Sequence, residues 1–290
     1  MLSDISLNRH NTKPLMPRLY LGRLIDTMAD MVSKGFALLS FLLFLMLPSS
    51  AASREPEVVS FRSGAITLQG TLYKPAGKGP FPAVVYISGC NGGFPTDLTK
   101  PTIDRLLSKG FATLIIDPFT PRNETQGICP TMANMNDKSD AQLKYGARGG
   151  NDALAALNVL EAMPDIDINH VFLLGYSYGA IASLSATNKK NHAKVAGVVA
   201  YYPFCYEDDD PSVPVLVLVG EKDDWTPAAS CRPFASKTNF EVVVYPGATH
   251  AFNIPFEKPV EMLGHHMEYD EKAGQDAQQR TDAFMDAHMK

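Results

Sequence analysis

The chain has 290 residues, 45% of them hydrophobic, and a formal net charge of −5. That length holds one large α/β domain or two small ones, with enough apolar content for a sizeable core. The acidic balance argues against nucleic acid as a partner, and no internal repeat or low-complexity tract stands out.

Residues 36–47 form an apolar run preceded by Lys34 and followed by Pro48-Ser49-Ser50-Ala51-Ala52-Ser53. The run is shorter than the roughly 20 residues a membrane span needs. Small residues stand where signal peptidase cuts, so a secretory signal peptide is expected, with a mature chain beginning near Ser53. Ahead of Met31 the residues are polar and mixed in charge, unlike an ordinary leader. The expected start is therefore Met28 or Met31, with a misassigned extension before it. Segment 1–52 is thus expected to be leader plus extension, and 53–290 the folded domain. An uncleaved anchor helix is the alternative. No cysteine occupies the cleavage region, which argues against a lipoprotein. The expected location is periplasmic or secreted, with no stable membrane insertion after cleavage.

Residues 57–62 and 65–73 alternate apolar and polar side chains around Ser63-Gly64, which predicts an antiparallel hairpin. An apolar strand follows at 83–87. Helical spacing over 99–108 ends at Gly110, and a buried strand follows at 111–116. Residues 118–143 form a long loop-rich segment with Pro, Asn, Gly and Cys129, which is expected to border the active-site mouth. A helix is predicted over 144–163, a strand over 170–174, then a helix rich in small residues. Strands at 195–201, 214–219 and 240–245 flank a helix near 228–236, and a last helix is predicted from about His265 to His288. Parallel strands alternating with helices imply a mostly parallel, doubly wound sheet. No insertion is long enough for a large cap domain.

The pentapeptide Gly175-Tyr176-Ser177-Tyr178-Gly179 lies between the strand at 170–174 and its helix. G-x-S-x-G in a strand–turn–helix context is a nucleophile elbow, where a tight turn lifts a serine hydroxyl off the end of a sheet. A serine needs a base, and the base needs an orienting carboxylate. Both follow in the expected order. The strand at 214–219 runs into Gly220-Glu221-Lys222-Asp223-Asp224-Trp225, and the strand at 240–245 into Pro246-Gly247-Ala248-Thr249-His250. His250 is the candidate base. Asp223 is the candidate acid in preference to Asp224, which is expected to face solvent or to start the next helix. The oxyanion of an acyl-transfer intermediate needs N–H donors. One is expected at Tyr178, after the nucleophile. The other is expected in Ser88-Gly89-Cys90-Asn91-Gly92, at Cys90 first and Asn91 second.

With these motifs, and with Tyr269, Ala273, Asp276, Ala277, Arg280 and Phe284 in the C-terminal helix, the chain resembles the dienelactone hydrolase family of the α/β-hydrolases over about residues 57–290. The resemblance implies an α/β-hydrolase fold acting on a small ester or lactone without a cofactor. Founding members use a cysteine nucleophile where this chain has Ser177, and many have His-Gly where it has Ser88-Gly89. These departures move the expectation from lactones toward esters in general. Two alternatives stay open: a non-catalytic binding protein on the same fold, and an acyltransferase.

Arg122, after the fourth strand, is a candidate for binding a substrate carboxylate. Trp225, the single tryptophan, is a candidate pocket wall. The spacing of His265-His266 with Glu261 and Asp270 would suit a metal on a helix, but a solvated helix face is the preferred reading, and no metal is expected. The 4 cysteines of an exported chain suggest disulfides. Cys205 and Cys231 follow strands expected to be neighbours, which predicts a Cys205–Cys231 bridge, with Cys90–Cys129 as the second.

Overall fold

The computed structural model describes residues 54–92, 98–134 and 140–289, without the side chains of 140–143. The expected leader and its cleavage point lie outside the described residues. Strands β1 (Glu57–Ser63) and β2 (Ile66–Tyr73) form the antiparallel hairpin, with Ser63 opposite Ile66. Their buried positions alternate with open ones, as in a sheet with one wet face. Strands β4 (Ala112–Asp117), β6 (Gly197–Tyr201) and β7 (Val215–Gly220) are buried at every position. Such runs suit central parallel strands covered on both faces. With β3 (Phe81–Ile87), β5 (Ile166–Tyr176) and β8 (Phe240–Tyr245) they make an eight-stranded sheet in the order β1-β2-β4-β3-β5-β6-β7-β8. Only the β1–β2 and β2–β4 pairings are antiparallel.

Successive residues of a strand feed opposite cores. Val84 and Tyr86 of β3 join Ile103 and Leu106 of helix α1 (Lys100–Ser108) and Phe284 and Met285 of helix α5 (Glu271–Ala287). Ala83, Val85 and Ile87 join Ala153, Leu157 and Leu160 of α2 (Asp140–Glu161), Leu184 of α3 (Tyr178–Thr187) and Cys231 of α4 (Ala228–Cys231). Helices thus cover both faces, and the fold is the α/β-hydrolase fold with no large cap.

Three local expectations change. The last helix does not begin at His265. Val260–Met262 and His265–Met267 instead pair as a short hairpin, β9 and β10, turned by Leu263 and Gly264, both with positive φ. Helix α5 begins after Asp270, whose carboxylate accepts the Ala273 N–H at 3.0 Å as an N-cap. The helix near Ala228 runs only to Cys231 and continues as a 3₁₀ turn, Arg232–Ser236, because Pro233 cannot donate to the α-helical ladder. Helix α2 starts at Asp140, four residues earlier than expected, and so shortens the loop after β4.

Both predicted disulfides are present, Cys90–Cys129 and Cys205–Cys231. The second joins the loop after β6 to α4, which follows the neighbouring strand β7. It closes 26 residues of sequence, for which loop-closure entropy gives about 3 kcal/mol. The double variant Cys205→Ala/Cys231→Ala is therefore expected to lose about that much stability in urea titrations. An unchanged midpoint would contradict it.

The loop after β6 also buries Asp209, whose Oδ2 accepts the Tyr206 N–H at 2.8 Å. Burial pushes this carboxyl up to about 7, against the pull of that N–H; Asp208 adds to the rise and Lys237 opposes it. The folded state therefore holds the proton more tightly than the unfolded chain, where the value is about 3.9. The associated stability is complete at low pH and is lost as pH rises through about 7. Asp209→Asn is expected to raise the melting temperature over wild type clearly at pH 8 and little at pH 4.5. A difference independent of pH would count against it.

Candidate active site

The C-terminal ends of β3, β5, β7 and β8 converge on one cavity of about 480 Å³. Between β5 and α3 the chain reverses at Ser177, which takes φ 52° and ψ −115°. A side chain in this region is strained and held by its surroundings. The Ser177 N–H donates to Tyr201 O at 2.9 Å, and Ser177 O accepts from Ala180 and Ile181 at the start of α3. The flanking glycines make the turn possible. A Cβ at Gly175 would lie 2.2 Å from Gly179 O, and one at Gly179 would lie 2.0 Å from Ile87 O.

Ser177 Oγ lies 3.1 Å from His250 Nε2, and His250 Nδ1 lies 2.8 Å from Asp223 Oδ2. His250 and Asp223 are only 3% and 4% exposed, so this relay is shielded from water along most of its length. Asp223 is fixed from its other side. Its Oδ1 accepts the N–H groups of Trp225 at 3.0 Å and Thr226 at 2.8 Å, an Asx-type turn that aims Oδ2 at the imidazole. The Thr226 hydroxyl lies 3.0 Å from Asp223 Oδ2, 3.0 Å from Tyr202 O and 3.2 Å from His250 Nδ1. It has one hydrogen to give, shared between the first two acceptors. Thr226 and Tyr202 escaped the sequence reading; the Asx-turn pattern Asp-x-Trp-Thr was the available signal for Thr226.

Asp224 points away from the relay. Its carboxylate is half-exposed, 3.3 Å from His265 Nδ1 on β10. The His265 ring stacks on Trp225, with centroids 4.7 Å apart, and its Nε2–H donates to Ala133 O at 2.6 Å. His266 bonds Glu261 at 2.6 Å across the β9–β10 hairpin. The histidine pair thus serves a hairpin and not a helix face, and among the described residues no group of three or more His, Cys, Asp or Glu side chains is placed to hold a metal ion.

Cys90 and Asn91 line the cavity with Ser177, and a Cβ on neighbouring Gly89 would stand 3.7 Å from Ser177 Cβ. Tyr178 is the first residue of α3, so its N–H is among those a helix leaves without an intrahelical partner. Its ring points elsewhere, against Phe119. The Cys90–Cys129 bridge and the Ile128 N–H, donating to Cys90 O at 2.7 Å, tie the oxyanion candidate loop to the segment after β4. Trp225 lines the cavity and abuts His250 at 5.2 Å between ring centroids. Its indole Nε1–H is used on Met132 O at 2.8 Å, so it offers the cavity an apolar wall.

Arg122 does not line the cavity of Ser177 and His250. Its guanidinium grips Asp152 with both arms, at 2.8 and 3.0 Å, and also donates to Pro118 O. The Asp152 carboxylate on α2 is fully buried, and a buried charge requires such a partner. The substrate-carboxylate expectation is therefore corrected: Arg122 anchors the segment after β4 to α2. A second bidentate pair, Arg148–Glu124 at 2.8 Å for both contacts, does the same.

The curated proteins contain no match to this chain. Among solved structures, a dienelactone hydrolase-like promiscuous phosphotriesterase from metagenomic libraries is similar at TM-score 0.64 and 21% identity, over 81% of this chain and 98% of that one. A thermophilic esterase from the Planctomycetes species Thermogutta terrifontis, with propionate bound, is similar at TM-score 0.56 and 15% identity, over 79% and 93%. At these identities the likeness is one of fold. The sequence pattern that defines the dienelactone hydrolase family matches residues 68–289. With the eight-stranded sheet and the elbow at its centre, that match shows that the chain belongs to the dienelactone hydrolase family.

Proposed function

We propose that this protein is an exported serine hydrolase that cleaves small carboxylic esters or lactones through an acyl-enzyme. The observation that carries the reading is the unbroken contact from Ser177 Oγ to His250 Nε2, and from His250 Nδ1 to Asp223, at 3.1 and 2.8 Å. Asp223 holds the Nδ1–H tautomer, leaving Nε2 free to take the hydroxyl proton. Ser177 Oγ then attacks the ester carbonyl, and the N–H groups of Tyr178 and Cys90 stabilise the oxyanion. His250 returns the proton to the departing alcohol. A water molecule repeats the cycle on the acyl group and frees the acid.

The two disulfides support export, since such bonds persist in oxidising compartments. Among the described residues no helix is long and apolar enough to cross a membrane. The test uses the mature protein, a fluorophosphonate probe and a panel of short-chain esters and lactones. The expected result is one probe per chain on Ser177, with hydrolysis of the panel lost in step. A folded protein that neither takes the probe nor hydrolyses any member would overturn the reading.

A further inference from the structure

Among the described residues, six side-chain polar atoms are buried without a hydrogen-bond partner. Two of them belong to residues that line the cavity of Ser177 and His250: Tyr202 Oη and, in the loop after His250, Asn253 Oδ1. Tyr202 is only 2% exposed, and its ring centroid lies 4.7 Å from that of His250.

The backbone at Tyr202 is held in an unusual state. Its φ is 41°, a left-handed value that is rare for a bulky residue and costs free energy. Both its peptide groups are engaged: the N–H donates to Leu218 O at 2.7 Å, and the C=O accepts from Thr226 Oγ1 at 3.0 Å. The strained turn thus sets the Tyr202 ring against His250, opposite in role to the apolar wall of Trp225, at the edge of the cavity. Phenylalanine would fill the same space without burying an unpaired hydroxyl, which is costly. The adjacent phenol shows the contrast, since Tyr201 Oη is satisfied by Thr281 Oγ1 at 2.8 Å. Burial, then the neighbouring phenols of Tyr176, Tyr86 and Tyr201, push the Tyr202 hydroxyl well above its usual range, so it stays a proton donor.

We infer that Tyr202 is a specificity-determining residue whose hydroxyl donates a hydrogen bond to an oxygen the substrate carries apart from its scissile ester group. Preferred substrates are then esters with an ether, hydroxyl or carbonyl oxygen on the acyl or the alcohol part. The inference rests on Ser177 hydrolysing esters. A site built to bond a substrate oxygen discriminates against the analogue lacking it, because its own polar group is left buried and unpaired.

The test compares matched pairs in which one CH₂ becomes O. The acyl series pairs 4-nitrophenyl methoxyalkanoates with alkanoates of equal length. The alcohol series pairs methoxyalkyl with alkyl acetates in a pH-stat. In both, the oxygen is walked along the chain, and active sites are counted with the fluorophosphonate probe. Wild type is expected to favour the oxygenated member by about tenfold or more in kcat/KM at one position. Tyr202→Phe is expected to bring that ratio to within about twofold of one, whatever happens to its absolute rate. Wild type with no oxygen preference at any position would overturn the inference while leaving the esterase reading standing. A preference that survives in Tyr202→Phe would overturn it too. Absence of both probe labelling and hydrolysis would remove the esterase reading, and this inference with it.

Discussion

Replacing Ser177 with alanine is expected to lower kcat on an activated short-chain ester by about 10⁴–10⁶. Under the proposed mechanism this hydroxyl forms the covalent intermediate, and nothing else along the relay can replace it. His250 Nε2 would face a methyl group, with no proton to accept. The fold should persist. Backbone bonds hold the turn, from the Ser177 N–H to Tyr201 O and from Ala180 and Ile181 to Ser177 O, and none involves the side chain. Rates measured beside far-ultraviolet circular dichroism check both halves. A folded variant with the parent rate would exclude Ser177 as the nucleophile.

Asp223→Asn is expected to lower kcat by about 10⁴, against less than about fivefold for Asp224→Asn. The amide at position 223 would still accept the Trp225 and Thr226 N–H groups through Oδ1, so the turn should survive. Its NH₂ would face His250 Nδ1 and favour the tautomer with the proton on Nε2, which cannot take the serine proton. Among the described residues, Asp224 meets His265 and the His266 N–H at a half-exposed position, where charge pairs contribute little. Parallel kinetics on the two variants decide the matter; the reverse order of damage would assign the acid to Asp224.

The elements that converge on the site were legible because each announces itself locally. An apolar run, a glycine and a reactive side chain recur at the ends of β5, β7 and β8, and open α/β sheets place their sites there. The β9–β10 hairpin was not legible. Its strands are three residues long, and its turn is Leu263-Gly264 instead of the Asn-Gly that normally signals two positive φ values. His265, His266 and Glu261 then resemble one face of a helix. Arg122 was misread for a different reason. Its sequence neighbours do not reveal Asp152, which is distant in the chain and becomes its partner only once α2 packs on the sheet. Tyr202 could not be found by pattern at all, because its importance lies in a positive φ and an orphaned hydroxyl.

One short piece of backbone, from Cys129 to Ala133, touches both halves of the proposed machinery. Cys129 is bonded to Cys90 beside Ser177, Met132 O holds the Trp225 indole Nε1–H, and Ala133 O holds His265, on which Trp225 stacks. The proposed oxyanion loop and the loop that carries Asp223 are therefore gauged from a common datum. A displacement of that piece would carry both loops together and would leave their mutual spacing less changed than the position of either one. Machinists obtain matched parts the same way, by measuring every feature from one reference edge.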